Sequence, residues 1–398
     1  MLWILASVSF ALLCYEIPTL VTAVLWPLWH NPNALQTDFH YYYEAAQRFA
    51  ANRHLLYLAS DDVIAGFAYP PPAIVPFVAL ARLPLGAALA GLTLASYAAI
   101  VVAIRQWCGY LRKNGFAVDP RTALLASIVA IALGPTYMNA IFGQVNAFVL
   151  LSAVAFACWL DLPAAAGAML AMGIWLKIYP VVAAAIALWE RRAWRAIGWA
   201  IVAGMVIAVV LLPIVPWAAY QSFISVVLPA RVDKTAIHIA NQSLVAFLER
   251  FRFTPDLFLN WTGHEAVTVS GVIRALNLAV AAVAVLFFWK RAALNAQSRA
   301  ASTAGVIALI GIVAPLGWGH TYVMVLPLVV THLIALQHAR RFEAVMVTLC
   351  VGAMMIPAGR HLPLDAAPAW FQNLAYSRYL IATLLLCVLP LDSRLRQA

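Results

Sequence analysis

The chain has 398 residues, of which 65% are hydrophobic and 10% are charged, and its formal net charge is +10. A mean hydropathy of +0.89 excludes a soluble fold, because most long segments would expose apolar surface to water. The apolar runs are continuous and about twenty residues long, which excludes an outer-membrane barrel and predicts an all-α polytopic membrane protein. The basic residues stand in small groups between these runs, as in cytoplasmic loops, so we expect no nucleic acid partner.

Apolar runs of spanning length predict about twelve transmembrane helices in one domain covering residues 1–398. These runs fall near 2–27, 64–82, 86–105, 123–140, 146–160, 164–189, 194–213, 267–289, 302–317, 320–337, 342–357 and 375–391. Most basic clusters then share one side with both termini, which the positive-inside rule makes cytoplasmic. Two larger loops, about 28–63 and 214–266, lie together on the extracytoplasmic face. Basic residues between 105 and 121 fall on that face as well, so the topology of 105–190 stays open.

The first predicted loop carries a polar and aromatic run from Gln36 to Glu44, directly after the first apolar segment. An acidic residue in this run faces a membrane surface rather than open solvent, which makes Asp38 the first candidate for chemistry. Tyr69 opens the second span ahead of three prolines that fix an extended entry to the helix. Its phenol is either an aromatic at headgroup level or a ligand contact.

Two polar features interrupt the apolar segments in the middle of the chain. Gln144 and Asn146 form a polar knot between two runs, where they either cap a helix junction or bind a sugar. Lys177 lies deep in an apolar segment, where an unpaired ammonium costs at least ~3 kcal/mol and usually has a partner or a ligand. Pro180 follows it, and we expect this proline to break the helix and open a pocket beside Lys177.

The remaining candidates lie in the second half of the chain. Asn241 and Gln242 suit either sugar hydroxyls or loop turns, and Arg274 and Arg378 at the ends of two spans either snorkel or bind a lipid phosphate. Trp318 and His320 stand with Tyr322 at a membrane boundary. This indole, imidazole and phenol form a mixture that binds sugars by stacking and hydrogen bonding, although a single interfacial histidine is usually structural.

In their order along the chain, these marks resemble glycosyltransferase family 87, over roughly residues 36 to 330. The resemblance rests on Asp38 in the first loop and on a series of short motifs: Tyr69-Pro70-Pro71, Gly143-Gln144-Val145-Asn146, Lys177 with Pro180, Asn241-Gln242-Ser243-Leu244, and Trp318-Gly319-His320 with Tyr322 and Pro327. That family belongs to the GT-C class of integral membrane glycosyltransferases. The resemblance therefore implies a GT-C-type fold in the cytoplasmic membrane.

The resemblance also implies an activity. Enzymes of this kind take one sugar, here expected to be mannose, from a polyprenyl-phosphate donor at the outer face, and they invert the anomeric carbon without a metal or other cofactor. The expected acceptor is a glycolipid or a cell-envelope glycan, and membrane lipids surround the enzyme. An inverting transfer needs a base on the acceptor hydroxyl, and Asp38 is the residue placed to serve. Lys177, Arg274, Arg378 or the basic loop at Arg112 would stabilise the leaving phosphate.

Two other readings of the same sequence remain open at this stage. A transporter or flippase of lipid-linked saccharides is also polytopic and also carries buried charges such as Lys177 and Arg378. Transporters often show inverted repeats and paired broken helices, which are not evident in this sequence. A purely structural subunit leaves the polar and aromatic loop around Asp38 without a purpose.

Overall fold

A computed structural model describes residues 1–31, 34–35, 37–58, 66–260, 266–337 and 339–390. The two predicted outer loops include positions outside this range, namely 32, 33, 36, 59–63 and 261–265. Nearly all regular structure in the described residues is helical, so the predicted all-α class is confirmed. The exception is one short antiparallel pair of strands, β1 (Lys234–Ala236) and β2 (Ala266–Thr268).

Most of the first half of the chain folds into α-helices. They are α1 (Leu2–Leu20), α2 (Trp26–His30), α3 (Asp38–Ala51), α4 (Ile74–Leu80), α5 (Leu85–Lys113), α6 (Pro120–Ile131), α7 (Gly134–Ile141), α8 (Asn146–Cys158) and α9 (Pro163–Leu176). A π-helical turn at Val21–Leu25 joins α1 to α2, and short 3₁₀ helices lie at Arg53–Leu55 and Pro71–Ala73.

The second half begins with a 3₁₀ helix at Tyr179–Leu188. It continues with α10 (Arg191–Leu211), α11 (Trp217–Ser222), α12 (Leu228–Asp233), α13 (Leu244–Arg250), α14 (Pro255–Leu259), α15 (Gly271–Ala292), α16 (Ala296–Val313), α17 (Leu326–Ala335), α18 (Arg341–Met355), α19 (Ala369–Tyr376) and α20 (Arg378–Val388). A π-helical turn at Phe223–Val227 precedes α12, and a 3₁₀ helix at Gly319–Val325 leads into α17.

Five helical segments in the described part of the chain are long and apolar enough to cross a membrane: Leu2–His30, Leu85–Lys113, Arg191–Leu211, Gly271–Ala292 and Ala296–Val313. A sixth arises if α6 and α7, which meet at an angle of 53°, form one broken span. Several other apolar runs fold into helices of fewer than 18 residues. These segments are consistent with a multi-pass membrane protein, while the number twelve stays a prediction.

The run 164–189 shows why the helices are shorter than the apolar runs. Helix α9 ends at Leu176, and the backbone of Lys177 is extended, with φ −152° and ψ 136°. Pro180 then lies in the first turn of the 3₁₀ helix, because a proline cannot continue the hydrogen-bond ladder of α9. The predicted helix break at this proline is thus confirmed, and it leaves Lys177 at the junction of two helical segments.

Two apolar clusters hold the elements that carry the candidate residues. The larger cluster packs α8, α9, α16 and α17 together, with Phe156, Ile307 and Val329 wholly buried in it. The smaller cluster packs α3 against α4 and α5 through Phe39 and Phe77. The contact between the two clusters brings the start of α3 next to the turn before α8.

Candidate active site

A cavity lies where these two clusters meet, and with its open mouth it encloses about 760 Å³. Six of the residues predicted from the sequence line it: Asp38, Tyr69, Gln144, Lys177, Trp318 and His320. A seventh, Asn146, lies directly behind the wall and is 1% exposed. The structure therefore brings together side chains that are up to about three hundred positions apart in the chain.

Asp38 is held at the first position of α3. Thr37 caps this helix, and its backbone N–H donates to Nδ1 of His40 at 3.0 Å. The backbone N–H of Phe39 donates to the carbonyl oxygen of Phe142 at 3.1 Å, which ties the start of α3 to the turn before α8. A carboxylate in the first turn also interacts favourably with the positive end of the helix dipole. The helix cap and the contact with Phe142 thus hold Asp38 in place, and the helix dipole favours its charged form.

The turn that carries Gln144 and Asn146 depends on Gly143. Its φ of +63° lies in the left-handed region that favours glycine. A Cβ at this position would lie 2.7 Å from Cβ of Phe39 and 2.6 Å from Cδ1 of Leu89, so the close approach of α3 also requires a glycine. The turn then places Gln144 in the cavity wall and Asn146 at the start of α8.

Lys177 is 7% exposed and donates to two side-chain amides. Its Nζ lies 3.1 Å from Oε1 of Gln144 and 2.7 Å from Oδ1 of Asn146. The ammonium also lies 5.1 Å from the centre of the Tyr69 ring, a cation–π distance. The cost of burying this charge is thus offset by specific partners, as the sequence argument required.

These contacts fix the orientation of both amides. A lysine ammonium only donates, so Gln144 and Asn146 must present their oxygen atoms to it and their NH₂ groups elsewhere. The Nε2 of Gln144 donates to Oδ2 of Asp38 at 2.5 Å. The Nδ2 of Asn146 donates to Nδ1 of His320 at 2.9 Å and to the His320 carbonyl oxygen at 3.3 Å.

The orientation of Asn146 in turn fixes the protonation of His320. Because Nδ1 accepts a hydrogen bond, the imidazole is neutral and carries its proton on Nε2. That nitrogen faces Oδ2 of Asp38 at 3.4 Å. Five side chains therefore form a closed ring of polar contacts. One path runs from Lys177 through Gln144 to Oδ2 of Asp38. The other path runs from Lys177 through Asn146 and His320 to the same oxygen.

The ring leaves one oxygen of Asp38 for a ligand. Within the described part of the chain, the hydrogen bonds to this carboxylate arrive at Oδ2, and the side chain remains 35% exposed to the cavity. Burial alone would raise the pKa of Asp38, but hydrogen bonds from His320 and Gln144, together with the charge of Lys177, hold it below its usual value. Asp38 is therefore an ionised carboxylate with a free acceptor atom.

Aromatic side chains form much of the remaining wall. The hydroxyl of Tyr69 donates to Oε1 of Gln144 at 3.1 Å and pairs with the hydroxyl of Tyr42, whose ring it meets edge to face. Half-buried Trp318 lines the cavity next to His320. Flat apolar faces beside hydrogen-bonding groups are typical of sites that bind sugar rings.

Asn241 and Gln242 do not line this cavity, since both side chains are wholly buried behind it. The backbone of Asn241 pairs with that of Trp318, and the Gln242 N–H donates to the carbonyl oxygen of Gly317 at 2.8 Å. The Gln242 side chain donates to the carbonyl oxygens of Ile239 and Tyr376 at 2.6 and 2.7 Å. These residues stabilise the segment that carries Trp318. Of the two roles considered from the sequence, sugar binding and loop turns, the structure therefore shows the second.

The two arginines predicted as phosphate ligands also lie elsewhere. Arg274 is partly exposed and forms an ion pair with Asp233 at the end of α12. Arg378 is 7% exposed and donates to the carbonyl oxygens of Ile356 and Pro357. Neither side chain lines the cavity of Asp38, so Lys177 is the predicted cation that the structure brings there.

Sequence reasoning missed several residues of the cavity wall, among them Tyr42 and Arg231. Tyr42 lies four positions after Asp38, and this spacing puts both on one face of a helix, a signal that was available once α3 was recognised. Arg231 lies in α12, within the second predicted loop. A charged residue outside the predicted spans carries no cost of burial in the membrane, so nothing in its sequence context marked it.

The chain is predominantly helical and has segments able to span a membrane, and its cavity combines a carboxylate, two cations and aromatic faces. These are the features of an integral membrane enzyme that acts on a polar, sugar-like substrate. A family model of glycosyltransferase family 87 matches residues 67–315. The chain belongs to this family and is a glycosyltransferase, which confirms the resemblance and favours the enzyme over the transporter alternative.

A curated relative supports the same assignment over nearly the whole chain. The polyprenol-phosphate-mannose-dependent alpha-(1-2)-phosphatidylinositol mannoside mannosyltransferase of Mycobacterium tuberculosis is 25% identical to it, and the alignment covers 95% of this chain and 87% of the relative. The solved structures gave no match. Among the described residues, no group of three or more His, Cys, Asp or Glu side chains has the arrangement of a metal site.

Proposed function

We propose that this protein is an inverting mannosyltransferase of the cytoplasmic membrane, which moves one sugar from a polyprenyl-phosphate donor to a glycolipid or cell-envelope glycan on the extracytoplasmic face. The observation that carries the proposal is the ring around Asp38, which leaves one carboxylate oxygen open to the cavity. The name of the mycobacterial relative supports mannose as the sugar and a mannosylated phosphatidylinositol as a model acceptor.

In the proposed reaction Asp38 acts as general base. Its Oδ1 takes the proton of the acceptor hydroxyl while the oxygen of that hydroxyl attacks the anomeric carbon. The bond between this carbon and the phosphate oxygen breaks, and the electron pair leaves with the polyprenyl phosphate. Attack opposite to the leaving group inverts the anomeric configuration, and one carboxylate suffices for a single displacement of this kind.

The cavity also contains the charge needed for the leaving group. Among its described lining residues one carboxylate, Asp38, stands against two cations, Lys177 and Arg231. The donor phosphate carries one negative charge and its product carries more, so an excess of fixed positive charge favours the departing phosphate. We assign the phosphate contact to Arg231, which lines the cavity, and the orientation of the ring to Lys177, which donates to Gln144 and Asn146.

The aromatic wall completes the proposed site. Trp318 and Tyr69 flank the polar ring, and we assign the sugar to the space between them and Asp38. The apolar lining residues Phe223 and Leu228 lie within eight positions of Arg231 in the sequence. A polyprenyl chain that enters there from the bilayer would reach the site with its phosphate near Arg231.

The decisive experiment compares Asp38→Asn with the wild-type enzyme. Purified protein in lipid nanodiscs receives radiolabelled polyprenyl-phosphate mannose and a phosphatidylinositol mannoside, and the labelled product is quantified. The amide keeps the size of the carboxylate but removes its basicity, so we expect turnover to fall by about 10²-fold or more while donor binding persists.

The exposed residue Asp365 provides a matched control, since it does not line the cavity and Asp365→Asn makes the same chemical change there. Wild-type turnover by Asp38→Asn would remove the general-base assignment. A product with the same anomeric configuration as the donor, determined by NMR, would contradict the inverting displacement.

A further inference from the structure

A second cavity lies between α18, α19 and α20 and shares no lining residue with the cavity of Asp38. With its open side it encloses about 710 Å³. The cavity itself has a volume of about 320 Å³, and ligand pockets in proteins commonly measure ~300–1,000 Å³, so this groove is large enough to hold part of a lipid.

The two long walls of the groove have the same helical spacing. Helix α18 contributes residues at i, i+3, i+4 and i+7, which are Met346, Leu349, Cys350 and Ala353. Helix α20 repeats the spacing with Arg378, Ile381, Ala382 and Leu385. All of these side chains except one are apolar, and each set forms a straight stripe along its helix. The groove therefore fits a hydrocarbon chain that runs parallel to the two helices.

The exception, Arg378, lies at one end of the groove, in the first turn of α20. Its Nη2 donates to the carbonyl oxygen of Pro357 at 2.5 Å, and its Nε and Nη2 lie 3.4 and 3.3 Å from that of Ile356. Its Nη1 is buried and has no hydrogen-bond partner among the described residues. A buried guanidinium nitrogen without an acceptor is unfavourable, and a phosphate oxygen is the acceptor that arginine binds best.

We infer that this groove binds an anionic glycerophospholipid of the surrounding membrane, with one acyl chain between α18 and α20 and the headgroup phosphate on Nη1 of Arg378. The occupant must be an amphiphile with one anionic end, because a single cation terminates an otherwise apolar groove. The described lining residues include no carboxylate that would repel such a headgroup.

The inferred lipid is a structural ligand and not a substrate. It fills the space between α18 and α20, and it supplies the acceptor that Arg378 lacks. The binding can be measured without donor or acceptor, so its outcome is independent of the proposed transfer reaction.

The test reconstitutes the full chain in nanodiscs that contain phosphatidylcholine and phosphatidylglycerol, and native mass spectrometry records which lipids stay bound on release. We expect the wild-type protein to retain phosphatidylglycerol in preference to phosphatidylcholine. Arg378→Gln removes the charge, so the preference should fall by about tenfold, the effect of losing one charge-assisted hydrogen bond. Arg378→Lys keeps the charge and should restore part of the preference.

Two further variants separate the groove from general electrostatics. Arg195→Gln makes the same change in net charge at an exposed position of α10 and should keep the wild-type preference. Ala353→Leu leaves Arg378 intact but fills the groove, so it should lose the bound lipid, and this variant decides the matter if Arg378→Gln does not fold. Equal retention of both lipids by the wild type, wild-type preference in Arg378→Gln, or full lipid occupancy in Ala353→Leu would each overturn the inference.

Discussion

Nζ of Lys177 lies 2.7 Å from Oδ1 of Asn146, and this one contact determines where the proton of His320 resides. The ammonium can only donate, so the NH₂ group of Asn146 points at Nδ1 of His320 and leaves the imidazole proton on Nε2, opposite Asp38. A buried cation thus sets the hydrogen bonds of the proposed base through an amide and an imidazole that lie between them.

Asn146→Asp should reverse this arrangement. A carboxylate cannot donate to Nδ1 of His320, so it favours a proton there, and the imidazole becomes cationic if it also keeps the proton that faces Asp38. We expect kcat to fall by about tenfold to a hundredfold and the pH profile of kcat/KM to gain a histidine ionisation. Asn146→Leu removes the contact without adding a charge and should lose activity without the new ionisation. Identical pH profiles for Asn146→Asp and the wild type would show that Asn146 does not set the state of His320.

Lys177 and Arg231 should give different kinetic defects. Lys177→Met removes the donor that orients Gln144 and Asn146, so kcat should fall while the KM for the donor changes little. Arg231→Gln removes a charge from the cavity wall, so the KM for the donor should rise by about tenfold, the effect of losing one charge-assisted hydrogen bond.

Initial rates measured over a range of polyprenyl-phosphate mannose, at saturating acceptor, distinguish the two assignments. A raised donor KM with unchanged kcat in Lys177→Met would make Lys177 the phosphate ligand instead. Thermal unfolding of each variant serves as a control for loss of structure.

The cost of burying polar groups explains part of what the sequence predicted about this site. Lys177 stood out because a charge in an apolar segment needs a partner, and His320 stood out because it lies close to Trp318 and Tyr322 at a membrane boundary. The structure supplies a partner for each side chain. The sequence could not show that Lys177 and His320 are connected through Asn146. Asn146 and His320 are separated by 174 positions, and only the packing of α8 against the Gly319–Val325 helix brings them together.

A sequence identifies such charged residues but does not show what they bind. Arg378 was singled out as a cation at the end of a span that either snorkels or binds a lipid phosphate, and the structure shows backbone carbonyls around it and a different cavity beside it. Arg231 was missed because it lies outside the predicted spans, where a charged residue is ordinary. The apolar runs likewise predicted helices correctly, but their breaks followed prolines and a buried lysine rather than run length, as the junction at Lys177 shows.

The pH dependence of the reaction should report the hydrogen bonds to Asp38. Their net effect is to lower the pKa of Asp38, so the carboxylate is ionised at all pH values above its usual pKa of about 3.9. Gln144→Leu removes one of the hydrogen-bond donors to Asp38. Burial, which raises the pKa of this carboxyl group, is then less well compensated, so the pKa of Asp38 should rise. We expect the acidic limb of kcat/KM to move to higher pH, so that the variant loses activity on acidification before the wild type does.

Tyr69→Phe provides the comparison for this change. It removes a hydrogen bond to Oε1 of Gln144 but leaves the Nε2 donor that faces Asp38. Its acidic limb should therefore stay at the wild-type position. A Gln144→Leu profile with the wild-type limb would mean that this amide does not tune the carboxylate.

Gly143→Ala should disturb the site without touching a polar group. The φ of +63° alone costs an alanine ~1–2 kcal/mol. The new Cβ would also lie 2.7 Å from Cβ of Phe39, whose backbone N–H anchors α3 to the carbonyl oxygen of Phe142. Relief of this clash moves the start of α3, and with it Asp38, away from Gln144. We therefore expect a lower unfolding temperature and a kcat that falls by about tenfold or more, because catalytic groups are sensitive to shifts near 1 Å.

Gly91→Ala is the matched control, because Gly91 lies inside α5 and a Cβ there would meet nothing within 4 Å. In a helix interior alanine is favoured over glycine by up to ~1 kcal/mol, so this variant should be as stable as the wild type or slightly more so, with unchanged turnover. If both variants behave alike, the approach of α3 to the Gly143 turn does not determine the position of Asp38. If Gly143→Ala loses activity but keeps its unfolding temperature, the strain is absorbed locally and the loss reports the displacement of the carboxylate itself.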